Sequence, residues 1–409
     1  MSASSTRPSY AAVLRMPYAR RTFTAAVVGR LSYGMVSLAV MMAVSRATGS
    51  YAVAGTVMAL FGAASVFLTP LRAALVDRHG PRRALLPMAA LYAGLLGVLA
   101  AVSWRPGASP ALLTVVAVAA GACTPPLGAT MRAVWGELIA DRRLLQRAYS
   151  LDGVAEELTF VTGPLLMGVV VRFAPPAAGV AVSAALVGAG TLGFVMSPAV
   201  RGVAVRASRR RLRMRGRRGG LLQPVAVAGG VGLALGAVEL LVLAFAGQRH
   251  HGDDTVAWVL AALSAGSAVG GLLNGAVNWR VSARVRLPLL AVGLALALGA
   301  AGWAPGLVTL SAAMAVAGLF VAPALITSYL LADEAAPPGF RTQAGAWVNT
   351  AVNAGSSAGA AGVGLLVGRL PLAVCFAVSG AAALVAALAS WRGTASPAVH
   401  TGEAAEVVR

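Results

Sequence analysis

Lysine is missing from this 409-residue chain, and charge of either sign is scarce: 33 arginines and 13 acids make up a charged fraction of 11%. A soluble globular domain carries about 25% charged residues. A hydrophobic share of 58% and a mean hydropathy of +0.79 exclude that class and mark an integral membrane protein. Two cysteines, Cys123 and Cys375, both inside apolar runs, are too few for a disulfide framework or a thiolate metal cluster and read as structural thiols. Aromatic residues reach only 6%, and the basic stretch 201–220 contains none, so the stacking platform of a nucleic-acid site is absent there. No nucleotide-binding P-loop occurs, which leaves an ion gradient as the expected driving force. The abundance of Ala and Gly, with arginine as the only strong base, points to a GC-rich bacterial coding sequence and an inner (plasma) membrane.

What the chain does have is long apolar runs. Crossing a hydrocarbon core of about 30 Å takes about 20 apolar residues. Twelve runs qualify as candidates, near 22–44, 52–71, 84–103, 111–131, 148–171, 177–198, 222–246, 255–279, 287–304, 306–330, 344–367 and 371–390. The first is read as a span rather than a cleaved signal peptide, because it is polar-flanked and opens a twelve-span series. With the N-terminus in the cytoplasm, 27 arginines fall in inner loops and tails; Arg46, Arg105, Arg172, Arg249 and Arg369 lie outside and Arg30 lies within span one. This asymmetry predicts an all-α membrane protein with both termini cytoplasmic.

The stretch RGVAVRASRRRLRMRGRRGG, residues 201–220, divides the chain six plus six. It predicts a bundle over 1–200, a basic cytoplasmic linker, a second bundle over 221–392 and a tail over 393–409. Its nine arginines are expected to attract anionic lipid headgroups, at about 1 kcal/mol each near the surface. Two six-helix pseudo-repeats are also visible. A shift of 196 residues places Gly163 on Gly359, Gly168 on Gly364, Gly153 on Asn349 and Glu157 on Asn353; a shift of 203 places Arg83 on Arg286. Such repeats build many secondary transporters, with the binding site between them near the midplane.

Between spans two and three the chain reads AALVDRHGPRR, residues 73–83. Asp77, Arg78, Gly80, Arg82 and Arg83 resemble the loop signature of the major facilitator superfamily, with Ala73 in place of its first glycine and Pro81 interrupting the basic run. That resemblance covers the whole chain. It implies that Asp77 and its arginines hold a cytoplasmic gate, which is physically reasonable because an acid favours a helix N-terminus. The plainer alternative is an anchored tight loop. The corresponding loop NWRVSARVR, residues 278–286, keeps the bases without the acid. In span five, Gly163-Pro164 followed by LLMG is similar to the antiporter signature of the superfamily's drug:proton exchangers, where small residues permit close approach and proline bends the helix. Met167 departs from that signature, and Ala117 stands where the branch carries an arginine in helix four.

The same span carries Asp152, Glu156 and Glu157. Helical spacing puts Asp152, Glu156, Thr159 and Gly163 in one row, and Leu151, Leu158 and Leu165 on another face. A central charge costs about 2.5–3.5 kcal/mol on insertion scales and each Leu offsets only about 0.3–0.6, so the acids are expected to face protein. Arg30 and Glu157 are eight and nine residues into their predicted spans, roughly 12–14 Å deep at 1.5 Å per residue. The family's adjacency of helices one and five implies that Arg30 pairs with Glu156 or Glu157. A surplus carboxylate, desolvated beside a like charge, favours its neutral form and is a candidate proton-coupling site. The alternative is an ion-paired structural knot, with Arg132 and Arg147 tying Asp152 at the inner surface. Glu239, seventeen residues into span seven, is a further candidate for binding a cation or a proton, or for a hydrogen bond between helices. Pro125, Pro126 and Pro323 are candidate bend points.

Two patterns carry no chemistry. GSSAG, residues 355–359, matches a hydrolase elbow but lies within a span, where small-residue packing is expected. His250, His251, Asp253 and Asp254 read as a solvated outer loop, so neither a metal nor a cofactor is expected. The reading is of a non-enzymatic transporter that exports small amphipathic or cationic compounds in exchange for protons. Proton-coupled import of a metabolite is the alternative, and a transporter-like sensor or scaffold the second. The expected partners are a small-molecule substrate, protons and membrane lipids.

Overall fold

The computed structural model describes residues 9–201, 218–249, 253–337 and 339–392. These residues form sixteen helices, and one isolated bridge between Val367 and Leu370 is their only β pairing. In the first half they are α1 (Tyr10–Arg15), α2 (Ala19–Thr48), α3 (Tyr51–Phe67), α4 (Thr69–His79), α5 (Pro81–Val102), α6 (Pro110–Cys123), α7 (Leu127–Leu138), α8 (Arg142–Phe173), α9 (Pro176–Met196) and α10 (Pro198–Arg201). The second half contains α11 (Arg218–Gln248), α12 (Asp253–Ala276), α13 (Ala283–Ala301), α14 (Leu307–Ala335), α15 (Arg341–Leu366) and α16 (Leu372–Arg392).

Ten segments, one of them α6 and α7 taken together, are long and apolar enough to cross a membrane; the pair α3 and α4, bent by 40°, makes eleven. The twelfth expected span corresponds to α15, which has the length but carries Thr342, Gln343, Asn349, Thr350, Asn353, Ser356 and Ser357. Asn349 and Asn353 face internal cavities rather than lipid, which explains the lower apolarity. Linker residues 202–217, the His250-His251 pair and the tail from residue 393 lie outside the described residues, and linker residues 218–220 open α11.

Several helix breaks fall at prolines and glycines. The expected loop over 73–83 is corrected: residues 73–79 complete α4, and Pro81 opens α5. Gly80 alone makes the turn at φ +83°, a conformation that strains any residue with a Cβ. Pro125 and Pro126 separate α6 from α7, and the Tyr33 hydroxyl donates to the Pro125 carbonyl at 2.6 Å. Pro164 and Pro323, by contrast, lie inside the continuous helices α8 and α14.

The repeat has a packing counterpart. A Cβ on Gly163 would strike the α2 backbone at Gly34, and one on Gly359 would strike the α11 backbone at Leu233. Gly355 meets α11 in the same way, so the GSSAG stretch is a helix-packing surface. The two largest apolar clusters divide accordingly: one draws on residues 13–200 with Ala322, Ile326 and Leu330, the other on residues 227–387.

Candidate functional site

The i, i+4 spacing of Asp152 and Glu156 stacks both carboxylates on the protein-facing side of α8. Asp152 is wholly buried and held from two sides, by Arg30 Nη2 at 2.8 Å and Arg132 Nη1 at 3.1 Å. Arg132 Nη1 also reaches Glu156 Oε2 at 3.0 Å, and its guanidinium stacks on the Tyr329 ring of α14 at 3.8 Å. Arg30 Nε, Arg30 Nη1 and Arg132 Nε are buried with no acceptor among the described residues.

This corrects two expectations. Arg30 pairs with Asp152 rather than with Glu156 or Glu157. The apolar runs start near residues 22 and 148, whereas α8 begins at Arg142 and α2 at Ala19. Counted from those ends, Arg30 and Asp152 lie roughly 15–17 Å in and Glu157 roughly 22 Å. Arg147 does not tie Asp152 either, because five residues of helix turn it to another face. It reaches across to the Ala276 carbonyl and Asn278 Oδ1, both at 3.4 Å.

Glu157 stands apart. Rotated from Glu156 by one residue, it accepts a hydrogen bond from Ser267 Oγ of α12 at 2.8 Å, and no described cation lies within ion-pair distance. It borders a cavity of about 190 Å³ with Tyr149, Tyr329 and Asn353. A second cavity, of about 260 Å³, is bordered by Arg30, Arg72 and Tyr92. Arg132, Glu156, Phe160, Asn349 and Asn353 line both, so the ion cluster separates adjoining chambers.

Arg72 was missed by the sequence reading, which ended span two at residue 71. The chain instead kinks at Leu68 and starts α4 with Thr69-Pro70, which carries Arg72 into the interior at 5% exposure. Arg72 donates to the Gly121 carbonyl at 2.6 Å, to Thr69 Oγ1 at 2.7 Å and to the Ser65 carbonyl, while its Nε finds no described acceptor. The available signal was Thr-Pro inside an apolar run, a helix restart three residues before the arginine. Glu239 on α11 is exposed and lines neither mid-depth cavity.

The two halves meet at the end bearing the α4–α5, α7–α8, α12–α13 and α14–α15 turns, which the arginine bias of the sequence predicts to be the inner end. Asp77 Oδ1 and Oδ2 accept from the backbone N–H groups of Thr342 at 3.2 Å and Gln343 at 2.8 Å. The α15 N-terminus lacks a capping side chain of its own, so Asp77 supplies the cap from the opposite half. Arg341 lies 3.5 Å from both Glu137 and Asp333, and Arg142 lies 3.5 Å from Glu334. The Tyr10 hydroxyl donates to the Leu272 carbonyl at 2.5 Å. Arg78, Arg82 and Arg83 are exposed and form no described ion pair, so the cations at this seam come from α8, α13 and α15 instead.

The sequence profile of the Major Facilitator Superfamily matches residues 22–248, more than half of the chain. The chain belongs to the Major Facilitator Superfamily. It is a multi-pass membrane protein of a transporter family rather than an enzyme family. No curated protein matches it. Among solved structures, the human organic anion transporter MFSD10 is 14% identical, covering 94% of this chain and 100% of its own at a TM-score of 0.71. A bacterial homologue of the iron transporter ferroportin in its outward-facing state is 13% identical, covering 92% and 99% at a TM-score of 0.74. The Escherichia coli fucose:proton symporter FucP is 14% identical, covering 91% and 98% at 0.64. At these identities the likeness establishes the superfamily fold.

Proposed function

We propose that this superfamily member is a proton-coupled secondary transporter of small amphipathic solutes, with Glu157 as the exchangeable proton site and the chambers beside Arg132 as the solute site. The observation that carries this reading is the Glu157–Ser267 hydrogen bond. A carboxyl without a cationic partner among the described residues sits at mid-depth on the seam between the halves, beside a cavity. Adding or removing its proton changes what it offers Ser267, so protonation and the contact between halves are linked. Asp152 and its two arginines form the fixed part of the cluster, held by complementary charge.

The Gly163-Pro164 signature supports proton antiport and hence export, as the sequence predicts. Uptake with protons is a second reading, supported by Arg72. Three arginines, Arg30, Arg72 and Arg132, border the larger chamber against Glu156 and the adjacent Asp152, a lining that suits a neutral or anionic head better than a cation. An anion that displaced Glu156 from Arg132 would leave that carboxyl free to take a proton and travel with it.

The test is solute flux in proteoliposomes under an imposed pH gradient, using a panel of lipophilic cations, neutral amphiphiles and organic anions. Solute-dependent proton movement in the wild type that is lost in Glu157→Gln supports the proposal. Its sign separates exchange from co-transport. Coupling that survives in Glu157→Gln removes the assignment.

A further inference from the structure

A cavity of about 590 Å³, larger than either chamber beside Arg132, lies at the seam that carries the Arg142 and Arg341 ion pairs. The first half contributes Arg142, Arg143 and Arg147 to its walls, and the second half Arg280, Arg286 and Arg341. Against these six stand two acids, Asp333 paired with Arg341 and Glu334 paired with Arg142. The other four arginines have no described carboxylate within ion-pair distance.

Exposed arginines at an inner surface need no partner, because topology alone accounts for them and water solvates them. Arg147 and Arg286 are different: each is only 4% exposed. Arg147 uses its donors on carbonyl and amide oxygens. Arg286 reaches Gln146 Oε1 at 3.3–3.4 Å and Thr327 Oγ1 at 3.3 Å and stacks on Trp279 at 4.9 Å, yet its buried Nε–H has no described acceptor. Two desolvated guanidinium groups and an orphaned donor around a cavity call for an anion rich in acceptor oxygens.

We propose that this inner cavity is a binding site for a phosphate-type anion, occupied by the headgroup of an anionic phospholipid of the inner leaflet. The lipid source follows from the rim. Trp279 and Val281 border the cavity and are 40% and 47% exposed, and Val285 and Leu289, one turn apart on α13, are 41% and 55% exposed. This apolar strip is placed to receive acyl chains, with an interfacial tryptophan at its edge. Because the arginines come from both halves, an anion between them favours the arrangement in which the inner end is closed.

The experiment is a native mass-spectrometric titration of purified, delipidated full-length protein with phosphatidylglycerol, phosphatidylcholine and inorganic phosphate. The wild type is expected to bind phosphatidylglycerol at least about tenfold more tightly than phosphatidylcholine. Arg286→Gln should lose that preference. Arg280→Gln, at an exposed position on the rim that leaves the fold intact, should weaken it about fivefold. Arg20→Gln, an exposed arginine of the same face outside the cavity, should leave it unchanged. Displacement of phosphatidylglycerol by inorganic phosphate supports the anion site and assigns it to a soluble anion instead. Equal binding of the two lipids without phosphate binding, or a preference untouched by Arg280→Gln, overturns the proposal.

Discussion

Asp152 carries two arginines on one carboxylate, whereas Glu156 shares only one of them. The two acids should therefore fail differently when neutralised. Asp152→Asn leaves Arg30 and Arg132 buried beside a single carboxylate and is expected to cost about 3–5 kcal/mol. Glu156→Gln leaves both cations compensated by Asp152 and should cost clearly less. Thermal unfolding of the solubilised variants checks the order, and equal losses would contradict the picture of Asp152 as the anchor. The presence and protein-facing row of these acids were legible in the sequence, because carboxylates at i, i+4 within an apolar run have no other stable placement. The pairing was not. It depends on where α2 and α8 begin, and apolar runs locate those ends poorly when polar first turns such as Arg142–Gln146 are already helical.

The glycine contacts set the spacing of whole helices. Gly359→Val would push α15 from α11, and Gly163→Val would push α8 from α2 and open the Arg30–Asp152 contact. Each is expected to destabilise by at least about 1–3 kcal/mol, read as loss of monodisperse protein on size exclusion. Asp77 acts on an element of the opposite half, as the cap of α15. Asp77→Ala should weaken closure of this end by about 0.5–2 kcal/mol. Spin labels at the exposed positions Arg82 and Arg284 should then report longer inter-half distances, while unchanged distances would restrict Asp77 to its own turn. The acid and Gly80 were readable from the 73–83 motif, Gly80 because its turn needs a positive φ, whereas the distant helix end that Asp77 caps was not. Arg72 was hidden because the Thr69-Pro70 restart that follows the bend at Leu68 lies inside an apolar run, which a hydropathy window averages over.

At the scale of the whole molecule, the described contacts between the halves gather at the inner end and at mid-depth. The Asp77 cap, the Arg341 and Arg142 ion pairs and the Arg147 and Arg286 contacts close this seam, and Glu157–Ser267, Arg132–Tyr329 and Thr350–Val66 join the halves farther in. The repeat was visible in the sequence through Gly163 and Gly359, whose backbone contacts are equivalent in the two halves. The cavities were not, because they form between segments distant in the chain. The account rests on Glu157 as a carboxyl that gains and loses a proton between the halves. Infrared difference spectroscopy of the purified protein across a pH titration tests this directly and requires no knowledge of the solute. If Glu157 is the exchangeable site, a protonated-carboxyl band titrates in the wild type and in Glu239→Gln and is absent from Glu157→Gln; a titrating band that persists unchanged in Glu157→Gln rules the assignment out.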